Sequence, residues 1–121
     1  MNPSKAKGTA GETRVVGYLR EHGFSSAHRK PLTGNRDQGD VQVTPWLIAE
    51  VKTHRATPSR AQVVEWLDQT ETERGNAAAP EGVLILIRHG LATGRAWVVF
   101  RTAAGVPVYM ELEDWCSGYG E

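Results

Sequence analysis

The stretch Gly39-Asp40-Val41-Gln42-Val43-Thr44-Pro45-Trp46-Leu47-Ile48-Ala49-Glu50-Val51-Lys52 decides the fold. Two alternating runs, Asp40 to Val43 and Leu47 to Lys52, flank a Thr-Pro-Trp turn, which is the pattern of two paired strands. Side chains alternate along a strand, so Ile48, Glu50 and Lys52 share one face and Leu47, Ala49 and Val51 the other. Pairing Val43 with Leu47 across a three-residue loop sets Asp40 opposite Glu50, and opposed residues share a face. Val41, Val43, Leu47, Ala49 and Val51 then make one apolar face, with Asp40, Glu50 and Lys52 grouped on the reverse. A slip of one residue would scatter that group. An isolated Glu-x-Lys is more often a solvated pair on an edge strand; the Asp on the neighbouring strand changes the reading. Charges beside a core are costly unless paired or bound to metal. Two adjacent carboxylates suit a divalent cation, and Mg²⁺ is the expected one because it takes oxygen ligands and keeps several waters. Mn²⁺ is expected to substitute for it.

Upstream, a helix is expected from about Thr9 to His22, with Val15, Val16 and Leu19 on one face and Gly23 as its stop. Glu12 precedes those apolar residues by three, four and seven positions, which puts a third carboxylate on the inward face. Thr9-Ala10-Gly11-Glu12 equally fits a capping box, in which Glu12 would serve the Thr9 backbone. Residues 1 to 8 read as a loose basic arm, Phe24 to Lys30 as a short strand, and Pro31 to Gln38 as a mobile loop. Downstream, Thr57 as cap and Pro58 at the first helical position open a second helix that runs through Val63, Trp66 and Leu67 to Gly75. Val83 to Ile87 is continuously apolar, as in a strand buried on both faces. Ala96 to Phe100 is a further strand, and Val106 to Met110 and Leu112 to Trp115 add a strand and a helical turn. The order α-β-β-β-α-β-β predicts an α/β fold, with helices flanking a mixed central sheet. The 121 residues suit one domain.

Net charge is zero, yet residues 1 to 62 hold ten Lys/Arg against five Asp/Glu, and the remainder four against nine. That asymmetry suits a basic face turned toward a polyanion. Cys116 is the single cysteine, so no internal disulfide can form. No apolar run approaches the ~20 residues needed to span a bilayer, and Met1 to Gly11 lacks a signal-like stretch. A cytoplasmic protein that does not bind membranes is expected. The four histidines, His22, His28, His54 and His89, have no zinc-like spacing. Trp46, Trp66, Trp97 and Trp115 read as core or interface residues.

Glu12, then Gly39-Asp40, then Glu50-Val51-Lys52 resemble the signature of the PD-(D/E)xK nucleases, whose core is restriction-endonuclease-like. Within that superfamily the chain is most similar to archaeal-type Holliday junction resolvases and their phage relatives. Lys7-Gly8-Thr9-Ala10-Gly11-Glu12 resembles their basic opening segment and early helical Glu. Arg29 matches their Arg after the first helix, and Gln62 in Ser59-Arg60-Ala61-Gln62-Val63 matches a Gln near the start of their second helix. The likeness covers about residues 5 to 100. Gly39 stands where a Pro is usual, the Lys30 to Gln38 loop does not match closely, and the acidic tail Glu111 to Asp114 lies outside it.

The resemblance implies hydrolysis of a DNA phosphodiester. Asp40, Glu50 and the Val51 carbonyl would hold Mg²⁺, with Glu12 binding directly or through water. Lys52 would orient or deprotonate water, or stabilise phosphoryl charge; Gln62 would position the site or be an exposed helix residue. Lys5, Lys7, Arg29, Lys30, Arg36 and Arg55 would contact phosphates. A homodimer resolving four-way junctions is the expected form. The alternatives are a related nuclease with another DNA target, such as a repair nickase or restriction-type enzyme, and a non-catalytic nucleic-acid-binding domain.

Overall fold

A computed structural model describes residues 3–31 and 37–119, with side chains from Gly8 onward. At its centre is the expected hairpin: β2 (Val41–Thr44) runs antiparallel to β3 (Leu47–His54). Val41 pairs with Ala49 and Gln42 with Ile48, the register the alternation requires. The pairing then shifts, so that Thr44 rather than Val43 faces Leu47 and the turn shortens to Pro45-Trp46. Polar side chains explain the tighter turn: Thr44 Oγ1 accepts the Trp46 N–H at 3.1 Å, and Gln42 Nε2 donates to the Thr44 carbonyl at 2.6 Å.

Among the described residues the sheet has six strands in the order β1-β2-β3-β4-β5-β6, in which only β3 and β4 are parallel. The other strands are β1 (His28–Arg29), β4 (Glu81–Arg88), β5 (Trp97–Arg101) and β6 (Pro107–Glu111). Parallel neighbours need a crossover, and α2 (Arg60–Asn76) supplies it. The first helix, α1, is Pro3–Glu21, and α3 (Leu112–Gly118) closes the chain.

The two faces of the sheet have separate cores. On one side Val15, Val16 and Leu19 of α1 and Leu112 and Trp115 of α3 meet Val41, Val43, Leu47, Ala49, Val51, Val83, Ile85, Ile87 and Val98. On the other, Val63 and Leu67 of α2 meet Leu84, Leu86 and Val99. Val83 to Ile87 is thus buried on both faces, as its unbroken apolar run predicts.

Several boundaries differ from the sequence expectation. The helix expected from Thr9 begins at Pro3, so residues 3–8, expected as an arm, are helical. Thr9 is therefore not a cap: its carbonyl accepts from Thr13 Oγ1 inside the helix, and the capping box does not form. The first strand is two residues rather than seven. The second helix is capped by Ser59, not Thr57, because the Ser59 hydroxyl accepts the Gln62 N–H at 3.1 Å. Part of the Pro31 to Gln38 loop, including Arg36, lies outside the described residues. Among the described residues no helix is long and apolar enough to cross a membrane.

Candidate active site

The β2 ladder begins at Val41, whereas β3 runs on to His54, so among the described residues the end of β3 has no strand partner on the β2 side. Asp40 occupies that step. Gly39 brings the chain in at φ +95°, where a Cβ would also sit 3.2 Å from Ile48 Cδ1. The Asp40 N–H then donates to the Ala49 carbonyl at 3.0 Å, and its Oδ2 accepts the Val51 N–H at 2.9 Å. Asp40 therefore does not continue the ladder as a simple partner of Glu50. Its carboxylate replaces the missing strand and lies against the Val51 edge. A residue's N–H and C=O leave a strand on the same edge, so the Val51 carbonyl shares that side.

Glu12 arrives from above. Helix α1 crosses the β3–β4 end closely at Gly11, where a Cβ would stand 3.0 Å from Thr53 Oγ1 and 3.1 Å from Ile87 Cδ1. The next residue, Glu12, reaches the Asp40 step. Glu12, Asp40, Glu50, Val51 and Lys52 line one open pocket of about 320 Å³. Arg29 from β1 pairs with Glu12 at 3.3 Å, and Lys52 Nζ stands 3.4 Å from Glu50 Oε1. Larger hollows of about 460 and 630 Å³ lie near Arg74 and Arg101, but those charges are engaged by Glu71 and Asp68.

Crowded carboxylates leave their mark on proton affinity. Burial raises the Glu12 pKa, Asp40 adds to the rise, and Arg29 opposes it. Burial also raises Glu50 far above the usual carboxylate range, with Glu73 and Asp40 pushing the same way. Glu73 is raised by burial and by Asp37. Glu50 is 3% exposed and its Oε2 has no hydrogen-bond partner among the described residues. Such an oxygen is an uncompensated buried acceptor, in a residue that shares its pocket with Asp40, Glu12 and Val51.

Most of the expected set converges. Gln62 does not line the pocket; it lies in the first turn of α2, half-buried, with its backbone engaged by Ser59. The helix residues that reach Glu50 were missed: Gln69 Nε2 is 3.5 Å from Glu50 Oε1 and donates to Glu73 Oε2 at 3.1 Å. Their signal was present, because Val63, Leu67, Thr70 and Glu73 form the inward stripe of α2 and a glutamate there is out of place. Of the expected phosphate contacts, Arg29 is at the site. Lys30 instead donates to Gln42 Oε1 at 2.8 Å, and Arg55 is exposed just past β3. Lys5 and Lys7 lie on the first turns of α1, where side chains are not described. Trp115 is core, Trp66 and Trp97 pack on the α2-side core, and Trp46 is exposed at the hairpin turn. No protein-family model, curated protein or solved structure that was compared matches this chain.

Proposed function

We propose that the chain is a metal-dependent nuclease of the PD-(D/E)xK kind. The observation that carries this reading is the convergence of Glu12, Asp40, Glu50, Val51 and Lys52 from α1, the β2 entry and β3 on one open pocket. Asp40, Glu50 and the Val51 carbonyl would hold Mg²⁺, with Mn²⁺ as a substitute and Glu12 as a direct or water-bridged ligand. Bound there, the cation would supply water activation and offset charge on a phosphodiester. Lys52 brings the cationic group to an otherwise acidic pocket, where it opposes the charge that builds on the phosphoryl oxygens. Arg29 screens Glu12 while the pocket is empty of phosphate and is free to turn to the DNA backbone once it arrives.

More narrowly, we propose a four-way-junction resolvase acting as a homodimer. Two like strands must be cut, and one chain offers one such pocket. Among the apolar residues of the second half of the chain, Val83 to Ile87, Leu112 and Trp115 are buried in the core. Val106, Tyr109 and Met110 remain exposed at the β6 edge and are available for a dimer contact. The test incubates junction, duplex and single-stranded DNA with the protein, with and without Mg²⁺, alongside light scattering. Paired cuts in the junction by a dimer are expected. Cleavage of duplex alone by a monomer favours the other-nuclease reading, and Mg²⁺-independent binding without any cleavage favours a non-catalytic domain.

A further inference from the structure

Glu50 faces two sets of acids. Toward the open pocket are Asp40 and Glu12; toward α2 are Glu73 and Asp37. One carboxylate oxygen from each of Asp37, Glu50 and Glu73 lies within 4.8 Å of the others. Oxygens on opposite sides of a cation with ~2.3–2.6 Å bonds stand about 4.6–5.2 Å apart, so the span fits one ion.

Unlike a surface acidic patch, this trio is mostly inside the protein. Glu73 is 1% exposed and Glu50 3%. Glu73 Oε1 and Glu50 Oε2 are buried with no hydrogen-bond partner among the described residues. Gln69 donates one amide to Glu73 Oε2, but a neutral amide does not balance two carboxylates. Among the described residues the ion pairs reach Glu50 through Lys52 and do not reach Glu73. The surroundings are built to keep the trio together. Gly82 lets α2 approach β4, since a Cβ there would lie 3.3 Å from Thr70 and Arg74 side-chain atoms. Asn76 Nδ2 donates to the Asp37 carbonyl at 2.8 Å, which ties the Asp37 segment to the end of α2.

We propose that Asp37, Glu50 and Glu73 bind a hard divalent cation, separate from the one assigned to Asp40, with Glu50 shared between the two sites. The α2-side site stands on its own geometry; only the sharing of Glu50 with a catalytic ion rests on the nuclease reading. Glu73 is the defining ligand, because it has no part in the open pocket. Asp37, which is exposed, is the side from which the ion enters.

The test titrates Mn²⁺ into the full chain without DNA, counting bound ions by electron paramagnetic resonance and checking the fold by circular dichroism. The wild type is expected to hold two ions per chain, Glu73→Gln and Asp40→Asn one each, and Glu50→Gln neither. Asp37→Asn, at an exposed position that does not threaten the fold, is expected to weaken one of the two ions by at least about tenfold, the low end for disturbing a metal site. Unchanged Mn²⁺ number and affinity in both Glu73→Gln and Asp37→Asn would overturn the proposal and leave a shared proton as what holds the pair. If Glu73→Gln does not fold, Asp37→Asn alone decides. A wild type that binds two ions yet cleaves no DNA would overturn the nuclease reading and leave this site standing.

Discussion

The two faces of the sheet are built to opposite specifications. Under α1 and α3 the buried contact is mainly apolar, from Val15 and Leu19 to Trp115, with Glu12 and Thr53 at its edge. Under α2 the apolar cluster is smaller, Val63, Leu67, Leu84, Leu86 and Val99 with the flanking Trp66 and Trp97, and beside it stand the polar Gln69, Thr70, Glu73 and Glu50. A helix that spends inward positions on carboxylates gives up burial free energy at each. The difference teaches that one face carries most of the apolar packing and the other gives some of it up to carboxylates, which on the nuclease reading proposed above makes it the reactive side. β3 and β4 belong to both faces and join them.

The sharpest break in that comparison is on the reactive side. On the proposed reading Asp40→Asn removes a ligand but no core contact, so cleavage is expected to fall by more than about 100-fold, beyond what disturbing a ligand's neighbours costs. Its unfolding midpoint should stay close to that of wild type. Single-turnover cleavage and a thermal melt on the same sample check both halves. Undiminished cleavage would remove Asp40 from the site, and a collapse of the fold would show that the two faces are not separable.

Ile85→Ala is the reverse experiment. Ile85 is fully buried on the α1 side, and truncating such a residue costs ~2–5 kcal/mol. Urea unfolding should show that loss equally in chelator and in Mn²⁺, since no carboxylate is touched. A loss that shrinks with added cation would mean that the apolar face depends on the metal after all.

How far these faces could be read in the sequence follows from what each one uses. The α1 side rests on period and alternation, local signals that gave Val15, Val16 and Leu19 one helix face and Val41, Val43, Ala49 and Val51 one strand face; that the two meet is seen only in the fold. The Asp40, Glu50 and Lys52 group was legible for the same reason. Helix starts were read poorly. Thr9 and Thr57 are acceptable caps in isolation, but the helix runs through one, and Ser59 outcompetes the other. Glu73 stands out on the inward stripe of α2, but its meeting with Glu50 depends on α2 crossing close to β4 at Gly82, a tertiary fact. The entry of Asp40 beside the strand is likewise set by Gly39 in positive φ, which a strand pattern does not reveal.

A third prediction compares the faces through pH. Glu50 and Glu73 hold protons more tightly folded than unfolded, because burial penalises their charged forms. The native state therefore binds more protons than the unfolded state, and stability falls as pH rises. Without divalent cation, the melting midpoint is expected to be highest near the ordinary carboxylate range and to drop as pH climbs above it. Saturating Mn²⁺ should flatten that fall by neutralising the same oxygens. A midpoint that rises with pH in chelator would contradict the burial of an uncompensated acid pair. In the Glu50→Gln variant the slope should diminish, because one member of the buried pair no longer titrates.

The smallest expected effect tests how tightly the apolar face positions the reactive one. Gly11 lies inside α1, where replacing Gly by Ala favours the helix by ~1 kcal/mol. Against this, the new Cβ would stand 3.0 Å from Thr53 Oγ1 and 3.1 Å from Ile87 Cδ1, closer than ordinary contact. Both are side-chain ends that yield by a few tenths of an ångström, so the two effects nearly cancel and the melting midpoint of Gly11→Ala should barely move. The adjustment nevertheless shifts the helix at the residue before Glu12. A full ångström of misplacement costs ~10²-fold in rate, so a few tenths should lower kcat/KM by about three- to tenfold. Stability unchanged with cleavage reduced would show that α1 serves the pocket as a positioning surface for Glu12. If cleavage is also unchanged, Glu12 acts at longer range than a ligand does, and the three-carboxylate pocket contracts to Asp40 and Glu50.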